Sequence, residues 1–374
     1  MGPGAGAAGG RIVTAGGIEK VLAAKGVTAE WLRGERQIRR PLTRRQARSW
    51  MTVRGAAENN LKQIDVRVPL GLLVGVCGLS GSGKSTLMLD TIGRALAPKK
   101  QTTSVAYEPV EPGAHRAIEG APARAIMVDQ VKAGIVNPAS FLGLMAPLRR
   151  IYAGSADALT LGIDERQLGR GCSACKGRGQ VKIDMGLLPA IFSSCEVCRG
   201  TGLLPEARDI RFEGVSLPEL YSFRLDEMHA RFADEPALAR PLAAACAVGL
   251  GYLVLHQPAH ALSGGEAQRL KIARELGRKA RPDTLYILDE PSVGQHLEDI
   301  ARLSGVLDQL VEQGQTVVVV EHHPHLLAAC DWLIEMGPGG GPDGGHIVAT
   351  GSPEKIAAGE TATAPYLRAL LEDV

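Results

Sequence analysis

The sequence predicts an α/β core interrupted by an inserted, mainly helical domain, and three features carry that expectation. Gly78-Leu-Ser-Gly-Ser-Gly83-Lys84-Ser85 follows the apolar run Leu72 to Val76, as a glycine turn between a buried strand and a helix would. Leu285 to Leu288 and Thr316 to Val320 are two more apolar runs, and both end on charged or imidazole side chains. Between the loop and these runs stand four cysteines in two CxxC pairs, Cys172/Cys175 and Cys195/Cys198, 19 residues apart.

With 374 residues, 45% of them hydrophobic, the chain can bury a main domain and one or two smaller ones. No run reaches the roughly 18 apolar residues of a membrane span, because the 242–255 stretch is broken by Gly249 and Gly251. The N-terminus carries no charged segment followed by an apolar core and a cleavage site, so a cytoplasmic protein with no membrane partner is expected. A formal net charge of +2 neither demands nor excludes a polyanionic partner.

The two ends of the chain repeat each other. Met1 to Val21 and Met336 to Ile356 align without a gap, with 12 of 21 positions identical. Ile12/Ile347, Val13/Val348, Glu19/Glu354 and Lys20/Lys355 are not glycines, so the match reads as duplication and not as shared low complexity. In the C-terminal copy a Gly-rich turn and a short strand, His346 to Thr350, would close the core before a terminal helix. The N-terminal copy follows nothing, and residues 1 to about 34 read as the tail of an absent preceding unit. Residues 1–20 are then expected to be poorly ordered unless a partner supplies that unit. Arg33, Arg36, Arg39, Arg40, Arg44, Arg45 and Arg48 crowd the next stretch around Pro41, which suits an exposed linker. It is either a solvated connector or an arm that contacts phosphates.

The loop at 78–85 satisfies GxxxxGK[ST]. Gly78, Ser80, Gly81 and Gly83 let backbone N–H groups close on phosphates, and the helix starting near Thr86 adds its dipole. Lys84 reaches the β/γ-phosphates of ATP and Ser85 can hold Mg²⁺. The Pro-rich segment 98–122 is expected to be an irregular loop. Leu285 to Pro291 is a strand ending in two carboxylates, which places Asp289 on the metal and lets Glu290 polarise the attacking water. Thr316 to Val320 delivers Glu321 and His322 at another strand end, beside the expected γ-phosphate. Ser263, Gly264, Gly265 and Glu266 open a helical pattern through Leu270, Ile272, Ala273 and Leu276, and their N–H groups offer a second anion site.

In a cytosolic chain the paired CxxC spacing favours tetrahedral zinc over disulfides, with a redox pair as the alternative. Cys77, Cys246 and Cys330 lie singly in apolar surroundings and read as buried small hydrophobes.

With these residues placed, the chain resembles the second ABC half of the UvrA family, the DNA-damage-recognition ATPases of bacterial nucleotide excision repair. The resemblance runs from about Trp50 to Ile356. It is most specific in Gly55 to Ile64, Gly78 to Leu87, Cys172 to Cys198 with its CEVC knuckle, Gly249 to Glu275 and Thr284 to Pro291. It implies an ABC-type P-loop ATPase core that uses ATP and Mg²⁺, a signature domain with Zn²⁺ on the four cysteines, and double-stranded DNA as partner. It further implies that Gln130, after the apolar Ala125 to Val128, relays the state of the γ-phosphate. The LSGGE loop would close on nucleotide held by an opposing cassette, giving a head-to-tail dimer with a second copy or with a separately encoded first half. Lys176, Arg178, Lys182 and Arg199 are then phosphate contacts or solvated charges. The UvrB-binding and insertion domains belong to the family's first half, so UvrB would be reached only through that half.

The boundaries implied are 1–49 for the tail and basic linker, 50–130 and 261–358 for the two parts of the core, 131–260 for the insertion with its zinc module at 172–198, and 359–374 for a C-terminal helix. Two departures stand out. Val131 to Phe141 is shorter than the family's segment and lacks its arginines, and SVGQH follows Pro291 where the family usually has TTGLH. Both leave open a UvrA-like paralogue that clears DNA-bound drug. A transporter's ATP-binding subunit would share the loop motifs but not the cysteine module.

Overall fold

The structure, a computed structural model, describes residues 2, 9–41, 43–97, 111–129, 132, 134–185, 188–278 and 283–372. Along the chain the strands are β1 (Ser49–Ala56), β2 (Ile64–Leu70), β3 (Leu73–Gly78), β4 (Ala117–Glu119), β5 (Arg124–Val128), β6 (Gln180–Met185) and β7 (Leu188–Ser194). They continue with β8 (Arg211–Phe212), β9 (Val215–Ser216), β10 (Thr284–Asp289), β11 (Thr316–Val320), β12 (Trp332–Gly337) and β13 (His346–Gly351). Two compact units result, one from Met1–Gly134, Ala247–Gly249 and Ser263–Val374, the other from Ile135–Cys246 and Leu250–Leu262.

In the first unit a six-stranded sheet has the order β13-β12-β3-β11-β10-β5, all parallel except β13 against β12. Strands covered on both faces need no polar side, and β10 and β11 accordingly read as unbroken apolar runs with buried residues throughout their interiors. Parallel pairing has a consequence for chemistry. With Leu285 opposite Thr316, Val317 opposite Leu73 and Thr284 opposite Arg124, the carboxyl ends of β3, β5, β10 and β11 finish along one edge of the sheet. The segments after them carry Gly78 to Ser85, Asp129, Asp289 with Glu290, and Glu321 with His322. Open α/β sheets place ligands at such an edge.

A second, antiparallel sheet has the order β2-β1-β4, with Met51 and Val53 of β1 turned into the core. Here the expected irregular loop at 98–122 is corrected. Residues 98–110 lie outside the described residues, but Ala117 to Glu119 pairs with Arg54 to Thr52 as a true edge strand. Its three residues sit between Pro112 and Pro122, so the prolines flank the pairing and do not interrupt it.

The arginine-rich stretch is only in part the exposed linker expected: Arg33, Arg39 and Arg48 are exposed, but Arg36, Arg44 and Arg45 are engaged with the rest of the chain. Arg36 pairs with Glu30 and Glu298 at 2.6 and 2.7 Å, Arg44 with Glu354 at 2.6 Å and the Cys330 carbonyl at 2.8 Å, and Arg45 with Asp308 and Asp331. Charge counting could not reveal this, because the acceptors of Arg36, Arg44 and Arg45 other than Glu30 lie more than 260 residues away. Trp31 and Ile38 pack on Ile300, Leu326 and Ala329, and the Trp31 indole donates to Glu298 at 3.1 Å. The stretch read as a foreign tail thus ends in residues seated on this core.

The described part of the N-terminal copy also keeps the shape of its C-terminal twin. Gly2 and Arg11 form an antiparallel bridge that matches the Gly337–His346 pair of β12 and β13, and the helix Ile18–Leu22 matches Pro353–Ala357. Ile12, Val13 and Ile18 are exposed. Residues 1 and 3–8 lie outside the described residues.

Asp331 is the hub of the docked stretch. Its buried carboxylate accepts from the backbone N–H of Leu73 at 3.0 Å, from the Arg45 N–H at 3.2 Å and from the Arg45 guanidinium at 3.3 Å. Removing one partner of a buried pair strands the others, so Asp331→Ala should cost about 3 kcal/mol. In a unit of this size that is a fall of roughly 6–12 °C in Tm. A change below about 2 °C in a thermal unfolding scan would remove Asp331 from this role.

The second unit is mainly helical around Leu144, Leu148, Tyr152, Leu217, Leu225 and Leu242, all fully buried. Tyr152 satisfies its hydroxyl by donating to the Val215 carbonyl at 2.9 Å. The β6–β7 hairpin joins the two cysteine pairs. Among the described residues no helix is long and apolar enough to cross a membrane.

Candidate functional site

The first site lies at the carboxyl edge of the large sheet. β3 leads into the glycine loop, and the helix that follows, Thr86–Gly93 winding on through Leu96, fixes its far end. Lys84 is buried and its Nζ donates to the carbonyls of Leu79 at 2.8 Å and Gly78 at 3.2 Å, so the ammonium lies over its own loop. Burial holds its pKa below the ordinary lysine value, against the pull of Glu290 and Asp289. Ser85 is exposed at the start of the helix, and the Thr86 hydroxyl is met by Asn59 Nδ2 at 3.3 Å.

Asp289 ends β10 with its Oδ1 buried and without a hydrogen-bond partner. Burial, and then Glu290 beside it, push the Asp289 carboxyl up to about 6. A buried acceptor with no donor, among four further carboxylates at 90, 129, 290 and 321, fits a divalent cation as its missing partner. The shift has a sign that can be checked. In the protein without cation the raised value contributes stability that is present below the ordinary pKa of about 4 and lost as pH rises through about 6. Cation binding runs the other way, because a proton competes for the same oxygen. The Mg²⁺ concentration needed for half-maximal ATP binding should therefore rise as pH drops below about 6. An unchanged Mg²⁺ requirement between about pH 5.5 and 7.5 would take Asp289 off the metal.

Glu290 adopts φ 41°, and its N–H is fixed on the Val320 carbonyl at 2.9 Å. A non-glycine residue held in the left-handed region costs roughly 1–3 kcal/mol, which marks a position over-determined by its surroundings. Its Oε1 stands 3.5 Å from His322 Nε2. Burial, and next Lys84, hold His322 below its ordinary pKa, so near neutrality this is a polar contact of a neutral imidazole and not a charged pair. Lys84, Asp289, Glu290 and His322 thus come together, as their strand ends required. Gln130 lies outside the described residues.

Ser263 caps the helix Gly264–Gly277 in a reciprocal box with Glu266: the Glu266 N–H donates to Ser263 Oγ at 3.2 Å and the Ser263 N–H to the Glu266 carboxylate at 2.6 Å. The box uses both side chains internally. Gly264 and Gly265 remain as the first-turn amides that could face an anion.

The second site is in the other unit. Sγ atoms of Cys172, Cys175, Cys195 and Cys198 lie within 4.8 Å of one another, all buried. The measured separations of 3.9 Å for Cys172/Cys195 and 3.7 Å for Cys175/Cys198 match the roughly 3.8 Å edge of a tetrahedron with 2.3 Å zinc–sulfur bonds. The two knuckles are built alike. Gly177 and Gly200 N–H groups donate to the Cys172 and Cys195 carbonyls at 3.1 Å, and Gly179 and Gly202 N–H groups donate to Cys175 and Cys198 Sγ at 3.2 Å. Amide donation, first from Cys198, lowers the Cys195 thiol to about 7, whereas burial pushes Cys198 up to about 11. A cation in the cluster reverses that last penalty. Lys176 and Arg199 occupy the same left-handed turn position in each knuckle, and with Arg178 they are exposed. Cys77 and Cys330 are buried as expected, but Cys246 is only half-buried.

No family model matches the sequence. The chain is 40% identical over 384 residues to UvrABC system protein A of Thermus thermophilus, covering 100% of this chain and 40% of that protein. A second relative, UvrABC system protein A of Methanothermobacter thermautotrophicus, is 40% identical over 385 residues with the same coverage. Among solved structures, UvrA2 from Deinococcus radiodurans superposes with a TM-score of 0.87 at 38% identity, over 98% of this chain and 45% of that one. The chain is a UvrA family member. It spans about 40% of the length of the curated relatives it matches.

The UvrA-type core holds three positioning residues, Glu321, Gln268 and Lys271, to which the sequence assigns no role. Buried Glu321 accepts from the N–H groups of His322 at 2.6 Å, Ser292 at 3.0 Å and His323 at 3.1 Å, which orients the segments after β10 and β11 together. Its place directly before His322 at a strand end was the available signal. Gln268 Nε2 donates to the Asp289 carbonyl at 2.7 Å, and Lys271 Nζ binds the Asp129 carboxylate. They lie three apart on the helix that LSGGE opens, on the face turned to the strand ends.

Proposed function

We propose that this chain is an ATP-driven, DNA-binding ABC ATPase that acts in the recognition of damaged DNA in nucleotide excision repair, as one half of a head-to-tail pair of cassettes. The observation that carries the reading is the meeting of Lys84, Asp289, Glu290 and His322 at the aligned carboxyl ends of β3, β10 and β11 in a UvrA-family chain. Lys84 and the loop amides would hold the phosphates, Asp289 and Ser85 would hold Mg²⁺, Glu290 would accept the proton of the attacking water, and His322 would report the γ-phosphate. The four thiolates would hold Zn²⁺, which supplies rigidity to the knuckles and no reaction step. Gly264 and Gly265 would serve nucleotide on an opposing cassette, which is either a second copy or a separate first half. UvrB would be met only through that first half.

ATP turnover measured with the opposing cassette present should rise severalfold on adding duplex DNA and should not respond to lipid vesicles. No response to any duplex would sink the DNA reading. A second reading, in which the same engine clears drug from DNA, is favoured by SVGQH after Pro291, where Gln295 folds back onto the Pro291 carbonyl at 2.6 Å. Stronger stimulation by drug-loaded than by ultraviolet-damaged duplex would select it.

A further inference from the structure

Three segments distant in sequence meet behind the phosphate loop: the loop itself, Asn60 between β1 and β2, and the glycine-rich turn from Gly337 to Gly345 between β12 and β13. The Gly81 carbonyl accepts from the Gly341 N–H at 3.0 Å and from Asn60 Nδ2 at 2.9 Å, and the Ser82 carbonyl accepts from the Gly345 N–H at 3.0 Å. Asn60 Nδ2 also donates to the Gly341 carbonyl at 3.0 Å, and the Lys62 N–H to the Gly345 carbonyl at 3.1 Å, so turn and loop are tied to the same third segment. The approach excludes side chains. A Cβ on Gly340, whose φ of −108° any residue adopts, would stand 2.5 Å from the Ser80 carbonyl oxygen, and one on Gly345 would stand 1.9 Å from the Asn60 carbonyl oxygen.

These bonds fix the direction of peptide planes. A trans peptide points its N–H opposite to its C=O, so holding the Ser82 carbonyl against Gly345 turns the Gly83 N–H away from the turn, to the loop's other side. Successive amides oriented in this way make an anion-binding concavity.

We propose that the Gly337–Gly345 turn and Asn60 form a clamp that sets the phosphate loop in its nucleotide-binding form before nucleotide arrives, with Asn60 as a positioning residue. The proposal rests on the reading of this loop as an ATP site. A loop already ordered has no further freedom to lose on binding, so the clamp acts on ATP affinity.

The test measures the ATP dissociation constant of the intact chain with Mg²⁺, and its unfolding midpoint without nucleotide, in four variants. Asn60→Asp keeps the shape but faces two carbonyls with an acceptor, and Gly340→Ala wedges against Ser80. Each is expected to weaken ATP binding by about tenfold or more. Gly314→Ala, at φ +87° in the turn ahead of β11, lies outside the clamp and the phosphate loop. It should lower the midpoint and leave ATP affinity within about threefold. Lys84→Ala should lose ATP binding outright. A merely structural turn would move midpoints and not affinities. If Lys84→Ala loses ATP while Asn60→Asp and Gly340→Ala bind it like the parent chain, the clamp is overturned and the ATP site stands. If Lys84→Ala binds as well as the parent chain, the ATP-site reading itself falls.

Discussion

Glu290→Gln is expected to lower ATP turnover by at least about a hundredfold while ATP still binds. Gln fills the same volume but cannot take up a proton, and the positive φ of Glu290 together with its N–H bond to Val320 holds the backbone in place whichever side chain is present. The variant therefore removes proton acceptance and little else, and general-base contributions of about 10²–10⁴ set the scale. The contrast with Asp289 sharpens the expectation. Asp289, buried with an oxygen lacking any donor, is placed to meet a cation, so its loss should weaken Mg²⁺-dependent binding, whereas loss of Glu290 should spare binding and stop hydrolysis. Rapid-quench turnover with the opposing cassette present, beside an equilibrium ATP titration, separates the two. Turnover within about threefold of the parent chain would remove Glu290 from the role of base.

The second large effect is expected from Cys172→Ser with Cys198→Ser, which should take bound zinc from one ion per chain to none and unfold both knuckles. Apparent zinc-binding free energies of about 10–16 kcal/mol near pH 7 in small zinc modules rival the whole stability of a domain, roughly 5–15 kcal/mol. Among the described side chains of the hairpin joining the knuckles, Val181, Ile183 and Ile191 are exposed and bury no core that could replace the metal. Limited trypsin digestion reads the outcome directly. Lys176, Arg178 and Arg199 are exposed but held in tight turns, so cleavage there should be slow with metal and fast without it, in the variant and in chelator-treated parent chain alike. Equal cleavage with and without metal, or no zinc in freshly purified protein, would mean that the four thiols do not staple this hairpin.

Much of the core was legible because its signals are local. An apolar run ending in Asp289 and Glu290, or in Glu321 and His322, carries strand and chemistry in the same few residues, and the CxxC pairs declare their spacing. What stayed hidden depends on contacts that no local pattern encodes. Strand β3 lies between β11 and β12, which come some 240 residues later, so the company kept by the phosphate loop is a fact of topology. The arginines at 33–48 look hydrophilic in sequence, yet Arg44 and Arg45 find their acceptors near residues 308, 331 and 354. Ala117 to Glu119 is too short for its period to register, and only the open edge of β1 makes it a strand. Gln130, placed by its position after β5, lies outside the described residues and keeps its role as an expectation.

The docking of Trp31 and Ile38 has a practical corollary for anyone trimming the gene. A recombinant cassette started at the first recognisable family residue, near Trp50, would strip the indole from Ile300, Leu326 and Ala329, deprive Asp331 of Arg45 and leave Glu298 with Arg302 alone. Such a product would present a raw greasy strip and would be prone to clumping in the test tube. A start codon placed ahead of Val27 keeps that cover and is the sounder cut.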